Sequence, residues 1–290
     1  MKILLFGGSG QLGYEITSRG QDLNFEVVSP VQSEVDITER EQVQTLAERV
    51  KPDVIINSAA YTAVDKAEDE REAAFSLNQD GARNVAYAAR SSGARFIHIS
   101  TDYVFDGNSR APLTENAPTH PINVYGESKL AGERAVHEVL QGKGLVVRTS
   151  SLHGQKGVNF VHTMIKLFKE KERIQVVDDQ FMSPTWAGWL AEALLDMCRI
   201  RCEGIVHACG KGVISWHEFA SAIYEDIRPA LGKTVDVQRT SAANFPRPAK
   251  RPHYSAMDTT KLSKILGRES LGWREGLRRH LTELGYTIDS

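Results

Sequence analysis

The feature that most constrains the fold is a set of three glycines that follows the first apolar segment. KILLF (2–6) predicts a β-strand, and Gly7, Gly10 and Gly13 lead from it into a helix predicted at 11–19. Glycines at such a turn let a pyrophosphate approach the backbone, because a β-carbon would block it, and the helix N–H groups can bind it. The spacing therefore predicts a dinucleotide site, with a glycine turn that binds no ligand as the alternative. A Walker phosphate loop is excluded because no Gly-Lys-Ser or Gly-Lys-Thr follows.

Strands and helices alternate through the first 150 residues. Further strands are predicted at 25–29, 53–59, 95–100 and 144–150, and helices at 38–50, 68–91 and from Tyr125 to about Leu140. Thr38 and Glu41 are predicted to form a capping box at the second helix. This alternation predicts an α/β fold with a doubly wound parallel sheet, Rossmann-like, because crossover helices join parallel strands.

The second half of the chain has a looser pattern. We predict that residues 1–150 form the dinucleotide-binding domain and residues 151–290 a smaller C-terminal α/β substrate-binding domain, with one strand returned to the main sheet. Its predicted helices lie at 157–171, 186–200, 258–267 and 273–284, and its strands at 174–177 and 204–208. A proline-rich connection runs through 244–254.

Composition narrows the class of protein. The chain is 41% hydrophobic and 25% charged with a net charge of −2, and it lacks a basic block, which argues against a nucleic-acid partner. The apolar start is too short for a membrane span or a signal peptide, so no membrane partner and a cytoplasmic location are predicted. Cys198, Cys202 and Cys209 lack a metal-binding spacing, so reduced thiols and no metal are expected.

Tyr125 and Lys129 stand four positions apart in a predicted helix. At this spacing two side chains share one face of the helix. The ammonium is expected to lower the tyrosine pKa and make the phenol a usable proton donor. The alternative is a half-buried tyrosine beside a solvated lysine.

The end of the second strand bears on the choice of nicotinamide cofactor. An acidic residue there would bind the adenosine ribose of NAD and repel an extra phosphate. The sequence SPVQS (29–33) offers neither a carboxylate nor an arginine, which favours NADPH and leaves use of NADH open. Asp36 and Ile37 are predicted to flank the adenine, and an ordinary aspartate before a helix is an equal alternative.

Six motifs spread along the chain resemble one family. They are GQLG (10–13), AAYTAVDKAE (59–68), STDYVFDG (100–107), NVYGESKLAGE (123–133), NFVHTM (159–164) and VVDDQ with SPT (176–185). With the glycine loop they resemble the extended short-chain dehydrogenase/reductase superfamily, and within it the dTDP-4-dehydrorhamnose reductase family.

The resemblance implies an activity and a catalytic set. It implies hydride transfer from NADPH to the 4-keto group of dTDP-4-dehydro-L-rhamnose, giving dTDP-L-rhamnose for polysaccharide biosynthesis. Tyr125 would be the general acid, Lys129 would hold its pKa down and bind the nicotinamide ribose, and Thr101 would hydrogen-bond the keto oxygen.

Two sets of binding residues follow from the glycine loop and the resemblance together. The expected cofactor-binding residues are Gly7, Gly10, Gln11, Leu12, Gly13, Asp36, Ile37, Ala59, Ala60, Tyr61, Thr62, Asn78, Tyr125 and Lys129. The expected substrate-binding residues are Val64, Thr101, Asp102, Tyr103 and Tyr125, with a turn cap as the alternative for Asp102. The helices at 68–91 and 123–140 could form a homodimer.

Two positions depart from the family pattern. Ser151 stands where the family commonly has a tryptophan that shapes the sugar pocket, and Met182 stands where it has a glycine. The bulk of Met182 is expected to reshape a turn that faces the substrate. These departures leave the identity of the sugar open.

Four other functions remain as alternatives. A nucleotide-sugar epimerase would favour an acid at the end of the second strand, and a 4,6-dehydratase would carry Asp-Glu where this chain has Asp102-Tyr103. A non-catalytic NADP-binding regulatory subunit would have no use for Thr101, Tyr125 and Lys129. A reductase that yields a different deoxysugar is the fourth.

Overall fold

The computed structural model describes residues 1–288. In chain order its elements are β1 (Lys2–Phe6), α1 (Gln11–Asp22), β2 (Glu26–Val28), α2 (Arg40–Val50), β3 (Val54–Asn57), α3 (Arg71–Phe75), α4 (Ala82–Ser92), β4 (Arg95–Thr101), α5 (Val124–Leu140), β5 (Leu145–Thr149), β6 (Leu152–His153), α6 (Phe160–Glu170), β7 (Arg173–Val177), β8 (Phe181–Met182), β9 (Thr185–Trp186), α7 (Ala187–Arg199), β10 (Gly204–His207), β11 (Ile214–Ser215), α8 (Trp216–Leu231), β12 (Asp236–Thr240), α9 (Thr260–Leu266) and α10 (Trp273–Glu283).

Six of the strands form one sheet in the order β10-β5-β4-β3-β1-β2, and every neighbouring pair is parallel. The predicted doubly wound parallel sheet is confirmed. The carboxyl ends of the strands therefore open at one edge of the sheet, which is where ligands bind in such folds.

Both faces of the sheet are covered, because the central strands are apolar on both sides. Leu4 and Ile55 are fully buried against the layer of α2, α4 and α5. Ile3 and Ile56 are fully buried against α1 and α7 on the other face. Burial of each such side chain stabilises the fold by roughly 1.5–3 kcal/mol.

The second half of the chain adds to this sheet and also builds a core of its own. β10 pairs with β5, and α7 packs beside α1, so two elements beyond residue 150 belong to the main sheet layers. The separate core lies between α6, α8, α10 and the parallel pair β7–β12, and it contains Phe168, Phe219 and Leu277, all fully buried.

Several details of the second half differ from the sequence-based expectations. Neither α8 nor β12 was predicted, although Ser215 and Glu218 form a capping box at the start of α8 that the sequence shows as Ser-x-x-Glu. Met182 does not sit in a turn that faces a ligand. It pairs with Ile214 across two short antiparallel strands and is 2% exposed within the apolar core, so that expectation is wrong.

Two details of the first half also differ. The predicted capping box at Thr38 is wrong: α2 begins at Arg40 and has no side-chain cap, and the Asp36 carboxylate accepts hydrogen bonds from Thr38 instead. The helix predicted at 68–91 is interrupted by a π-helical turn at Ser76–Gly81. Within the described residues, no helix has the length and apolarity that crossing a membrane would require.

Gly132 lets α5 lie close to the π-helical turn. A β-carbon at this position would come within 2.2 Å of the Asn78 carbonyl oxygen.

We expect Gly132→Ala to lower the free energy of unfolding by about 1–3 kcal/mol through overpacking, although the same change at an open helical site raises it by up to about 1 kcal/mol. Denaturant unfolding measures this difference. Arg134→Ala on the exposed side of α5 is the control, expected within about 0.5 kcal/mol of the parent, and an unchanged or raised stability of Gly132→Ala would contradict the packing argument.

Candidate active site

A cleft of about 650 Å³ opens at the carboxyl ends of β1, β3, β4 and β5. Its wall includes most of the predicted site residues, namely Gly7, Gly10, Gln11, Leu12, Gly13, Asp36, Ile37, Ala59, Ala60, Thr62, Thr101, Asp102, Tyr125 and Lys129. These residues come from separate places in the chain, and the sheet brings them together because its strands are parallel.

The three glycines of the first loop differ in what they do. A β-carbon at Gly7 would lie 2.5 Å from the Ala59 nitrogen, and one at Gly13 would lie 2.1 Å from the Gly7 carbonyl oxygen, so both glycines permit close packing. Gly10 is exposed, and its β-carbon would meet a single neighbour at 3.2 Å. Gly10 is also the N-cap of α1 and provides no side-chain cap, so the first N–H groups of α1 are available to a phosphate at the cleft.

The far end of the cleft is lined by Pro30, Gln32, Val35, Asp36 and Ile37. The Oδ1 atom of Asp36 accepts hydrogen bonds from the Thr38 nitrogen at 2.9 Å and the Thr38 hydroxyl at 2.8 Å. That carboxylate therefore stabilises the turn before α2 while the residue borders the cleft. No carboxylate from the tip of β2 enters the described wall of the cleft.

Thr101, Tyr125 and Lys129 meet where α5 crosses the end of β4. Thr101 is the last residue of β4, its hydroxyl donates to Asp102 Oδ1 at 3.0 Å, and it lies close enough to the Tyr125 phenol to affect the pKa of that phenol. The Lys129 ammonium donates to the Ile99 carbonyl oxygen at 2.6 Å. Tyr125 and Lys129 thus both lie on the cleft side of α5.

Burial dominates the protonation of this group. It raises the pKa of Tyr125 to about 12, although the neighbouring Thr101 hydroxyl acts in the opposite direction. It lowers the pKa of Lys129 to about 8, against the attraction of the Glu133 carboxylate. The expected lowered pKa of Tyr125 is wrong, because desolvation of the phenol is the largest effect and the net shift is upward. At neutral pH the phenol therefore carries its proton.

The part of the cleft next to Thr101 is formed around Asp102. Its side chain is 2% exposed, it accepts a hydrogen bond from the Ser150 hydroxyl at 2.8 Å, and burial raises its pKa. The Tyr103 ring packs edge-to-face on Tyr125 with centroids 5.7 Å apart. Tyr103 therefore supports Tyr125 from behind and does not line the cleft.

Three other predicted residues lie outside the cleft wall. The Tyr61 phenol donates to Glu70 at 2.6 Å on the surface. Asn78 is 1% exposed and bonds both backbone groups of Tyr61 and the Ser128 hydroxyl, so it holds the loop after β3 against α5. Val64 lies in the same loop, where its backbone nitrogen bonds the Thr62 carbonyl.

The cleft also contains residues that the sequence motifs had not assigned to a site. They are Phe6, Ser9, Pro30, Gln32, Val35, Ser58, Leu77, Ile99, Ser100, Thr149, Ser151, Leu152, Gly157 and Val158. Several of them directly follow a strand, and that position alone could have indicated them. Ser151 has a φ of 45°, and its small side chain borders the cleft where the family pattern predicts a tryptophan. The described residues contain no cluster of three or more metal-ligating side chains.

A doubly wound parallel sheet with a glycine loop, and a Thr, Tyr and Lys set in the same cleft, defines a dinucleotide-dependent oxidoreductase of the Rossmann type. The profile of the family described as RmlD substrate binding domain matches residues 1–286. The chain belongs to this family.

Similar proteins are known in sequence and in structure. A dTDP-4-dehydrorhamnose reductase of Shigella flexneri is 40% identical over 98% of both chains. A Bacillus anthracis dTDP-4-dehydrorhamnose reductase, solved in complex with NADP, gives a TM-score of 0.91 at 38% identity, over 97% of this chain and 99% of that chain. A Clostridium acetobutylicum orthologue of this reductase gives a TM-score of 0.92 at 39% identity, over 98% of this chain and 100% of that one.

The lowered pKa of Lys129 has a consequence for stability. The unfolded chain holds this proton more tightly than the folded chain, so the stability of the fold should rise with pH between about 8 and 10.5. Below pH 8 the full cost of the buried charge is present. We expect Lys129→Met to raise the free energy of unfolding at pH 7 by about 2 kcal/mol, after allowing for the lost bond to Ile99.

Denaturant unfolding at pH 7 and pH 10 tests this expectation. The gain of Lys129→Met should shrink at pH 10, and Lys166→Met at an exposed site should show no such dependence. A variant that is less stable than the parent at pH 7 would contradict the assignment of a destabilising buried ammonium.

Proposed function

We propose that this chain is an NADPH-dependent reductase that converts the 4-keto group of dTDP-4-dehydro-L-rhamnose to the alcohol of dTDP-L-rhamnose. One observation carries the proposal: the Thr101 and Tyr125 hydroxyls and the Lys129 ammonium lie in the cleft that begins at the glycine loop. Full-length similarity to dTDP-4-dehydrorhamnose reductases supports the choice of substrate.

The residues of the cleft fit a nicotinamide dinucleotide. Gly10 and the uncapped start of α1 suit a pyrophosphate, and Lys129 lies at the opposite end of the wall from Asp36 and Ile37. The absence of a carboxylate from the tip of β2 suits NADPH, and the Bacillus anthracis relative was solved with NADP. When bound, the cofactor supplies the hydride.

The side chains of the protein supply the proton and orient the ketone. The Tyr125 phenol, protonated at neutral pH, donates its proton to the keto oxygen as that oxygen gains charge. The Thr101 hydroxyl borders the same part of the cleft and helps to orient the ketone beside the phenol. The Lys129 ammonium stabilises the phenolate that remains and attracts the anionic cofactor. General acid catalysis of this kind contributes about 10²–10⁴-fold to the rate.

The alternatives are weaker because of particular residues. A 4,6-dehydratase needs a second carboxylate after the catalytic threonine, and this chain has Tyr103 there, packed on Tyr125. A regulatory subunit would not need the Thr101, Tyr125 and Lys129 set. Ser151 leaves a space where a tryptophan is common, so a related 4-keto nucleotide sugar is the second candidate substrate.

Two further assignments stay predictions. Residues 151–290 are proposed as the substrate-binding domain, except that β10 and α7 lie with the main sheet. A homodimer through the helices at 68–91 and 123–140 would have to bury exposed ion pairs such as Arg71–Glu127. Analytical ultracentrifugation would measure the oligomeric state.

The proposed function predicts a specific loss in one variant. Tyr125→Phe should lower kcat by about 10²–10⁴-fold with little change in the dissociation constant for NADPH, because the lost hydroxyl acts on the ketone. NADPH oxidation, followed by absorbance with dTDP-4-dehydro-L-rhamnose and with other 4-keto nucleotide sugars, provides the measurement. Tyr87→Phe, at a residue outside the cleft wall, is the control. Absence of turnover with every 4-keto sugar, despite tight NADPH binding, would favour the regulatory subunit.

A further inference from the structure

The catalytic helix contacts β4 at three successive turns. Tyr125 lies beside Thr101, Lys129 donates to the Ile99 carbonyl, and Glu133 accepts a hydrogen bond from the Ser100 hydroxyl at 2.5 Å. Residues 125, 129 and 133 lie one above another on a helix, and residues 99 to 101 form the end of β4. The third contact therefore continues the row that holds the two catalytic side chains.

Glu133 takes part in a buried charge pair below the cleft. Its carboxylate accepts hydrogen bonds from Arg148 Nε at 2.8 Å and Arg148 Nη2 at 2.7 Å. The side chains of Glu133 and Arg148 are 5% and 2% exposed, and the Arg148 guanidinium lies 5.2 Å above the Phe105 ring. Arg148 is the strand neighbour of Ser100, so three elements meet at this carboxylate.

A contribution to the stability of the fold does not by itself explain the buried ion pair of Glu133 and Arg148. Well-packed apolar side chains usually replace a buried ion pair without loss, and often with a gain in stability. The pair also leaves Arg148 Nη1 buried without a hydrogen-bond partner within the described chain. A role in the chemistry at the neighbouring end of α5 accounts better for a carboxylate in this place.

We propose that Glu133 is a positioning residue of the reaction, which holds α5 on the end of β4 and keeps a negative charge beside the Lys129 ammonium. The proposal rests on the proposed reductase function and goes beyond it, since Glu133 does not line the cleft. It acts through Lys129 and Tyr125, and it contacts no ligand.

The effect of Glu133 on the pKa of Lys129 depends on the other titratable groups near the ammonium. Glu133 on α5 and His98 on β4 lie close enough to the ammonium for charge to couple them to it, and Tyr125 shares the cleft wall with it. His98 is fully buried, and its pKa is well below its usual value because of burial and the nearby lysine, so it stays neutral. Among these groups, the Glu133 carboxylate is the one that raises the pKa of Lys129 against the effect of burial.

Removal of this charge should shift a pH profile. With Lys129 titrating at about 8, kcat/KM for NADPH in the parent should fall as pH rises through that value. In Glu133→Gln we expect this basic limb, the fall of kcat/KM at high pH, to lie about one pH unit lower than in the parent. One unit is the low end of the pKa change that loss of an opposite charge produces. We also expect kcat to fall roughly 10- to 100-fold through misplacement of Tyr125.

The experiment has two readouts and three comparison variants. Steady-state rates and the NADPH dissociation constant, from protein fluorescence, are both measured from mildly acidic to strongly basic pH. Glu133→Asp keeps the charge and should keep the limb near its parental position. Glu138→Gln, an exposed change on the same helix, should leave both profiles unchanged. If Glu133→Gln does not fold, the double variant Glu133→Gln/Arg148→Met leaves no unpaired buried charge, and its limb should move in the same direction by a smaller amount, because a cation is lost as well.

The outcomes test the positioning role of Glu133 and the proposed reductase function separately. A displaced limb in both rate and binding, restored by Glu133→Asp, supports the positioning role. Reduced thermal stability with an unmoved limb would show that Glu133 is structural and would overturn the proposal. If the parent reduces no 4-keto nucleotide sugar, the proposed function fails, and the pH dependence of NADPH binding still tests Glu133.

Discussion

The packing contact between α5 and the end of β4 determines the geometry of the site. Side chains from α5 hydrogen-bond the Ile99 carbonyl and the Ser100 hydroxyl, and Tyr125 of α5 lies beside Thr101. Gly132 permits the close approach from the other side, where the Asn78 carbonyl lies against the helix. Because these contacts are buried, they fix the position of α5 on the sheet. The position of α5 in turn fixes the Tyr125 phenol and the Lys129 ammonium in the cleft.

The same burial makes the site costly to the fold. Lys129 and Asp102 are each 2% exposed, and in both cases desolvation shifts the pKa toward the neutral form. At Asp102, hydrogen bonds donated by the Thr101 and Ser150 hydroxyls offset part of the desolvation of the carboxylate. The protein thus keeps ionisable groups where bulk water is largely excluded, which strengthens their electrostatic effect on a bound ketone.

The glycine loop illustrates a similar division between packing and binding. Gly7 and Gly13 are required by neighbouring backbone atoms of the protein itself, and Gly10 is open to the cleft. A motif that reads as one unit in the sequence therefore has two physical purposes. The packing glycines place α1 against β1 and β3, and this placement directs the free N–H groups of α1 into the cleft.

The amino-acid sequence by itself determined the doubly wound sheet and the row of Tyr125 and Lys129, because the alternation of apolar runs with helices and the helical repeat are local properties. Motif positions also indicated most of the cleft wall, from the glycine loop to Thr101. The tertiary structure alone decided that burial raises the Tyr125 pKa, that Met182 fills a core, and that Tyr61 and Asn78 support the cleft from outside it. It also decided that Glu133 meets Ser100 and Arg148, since desolvation and contacts between distant segments depend on how the elements pack.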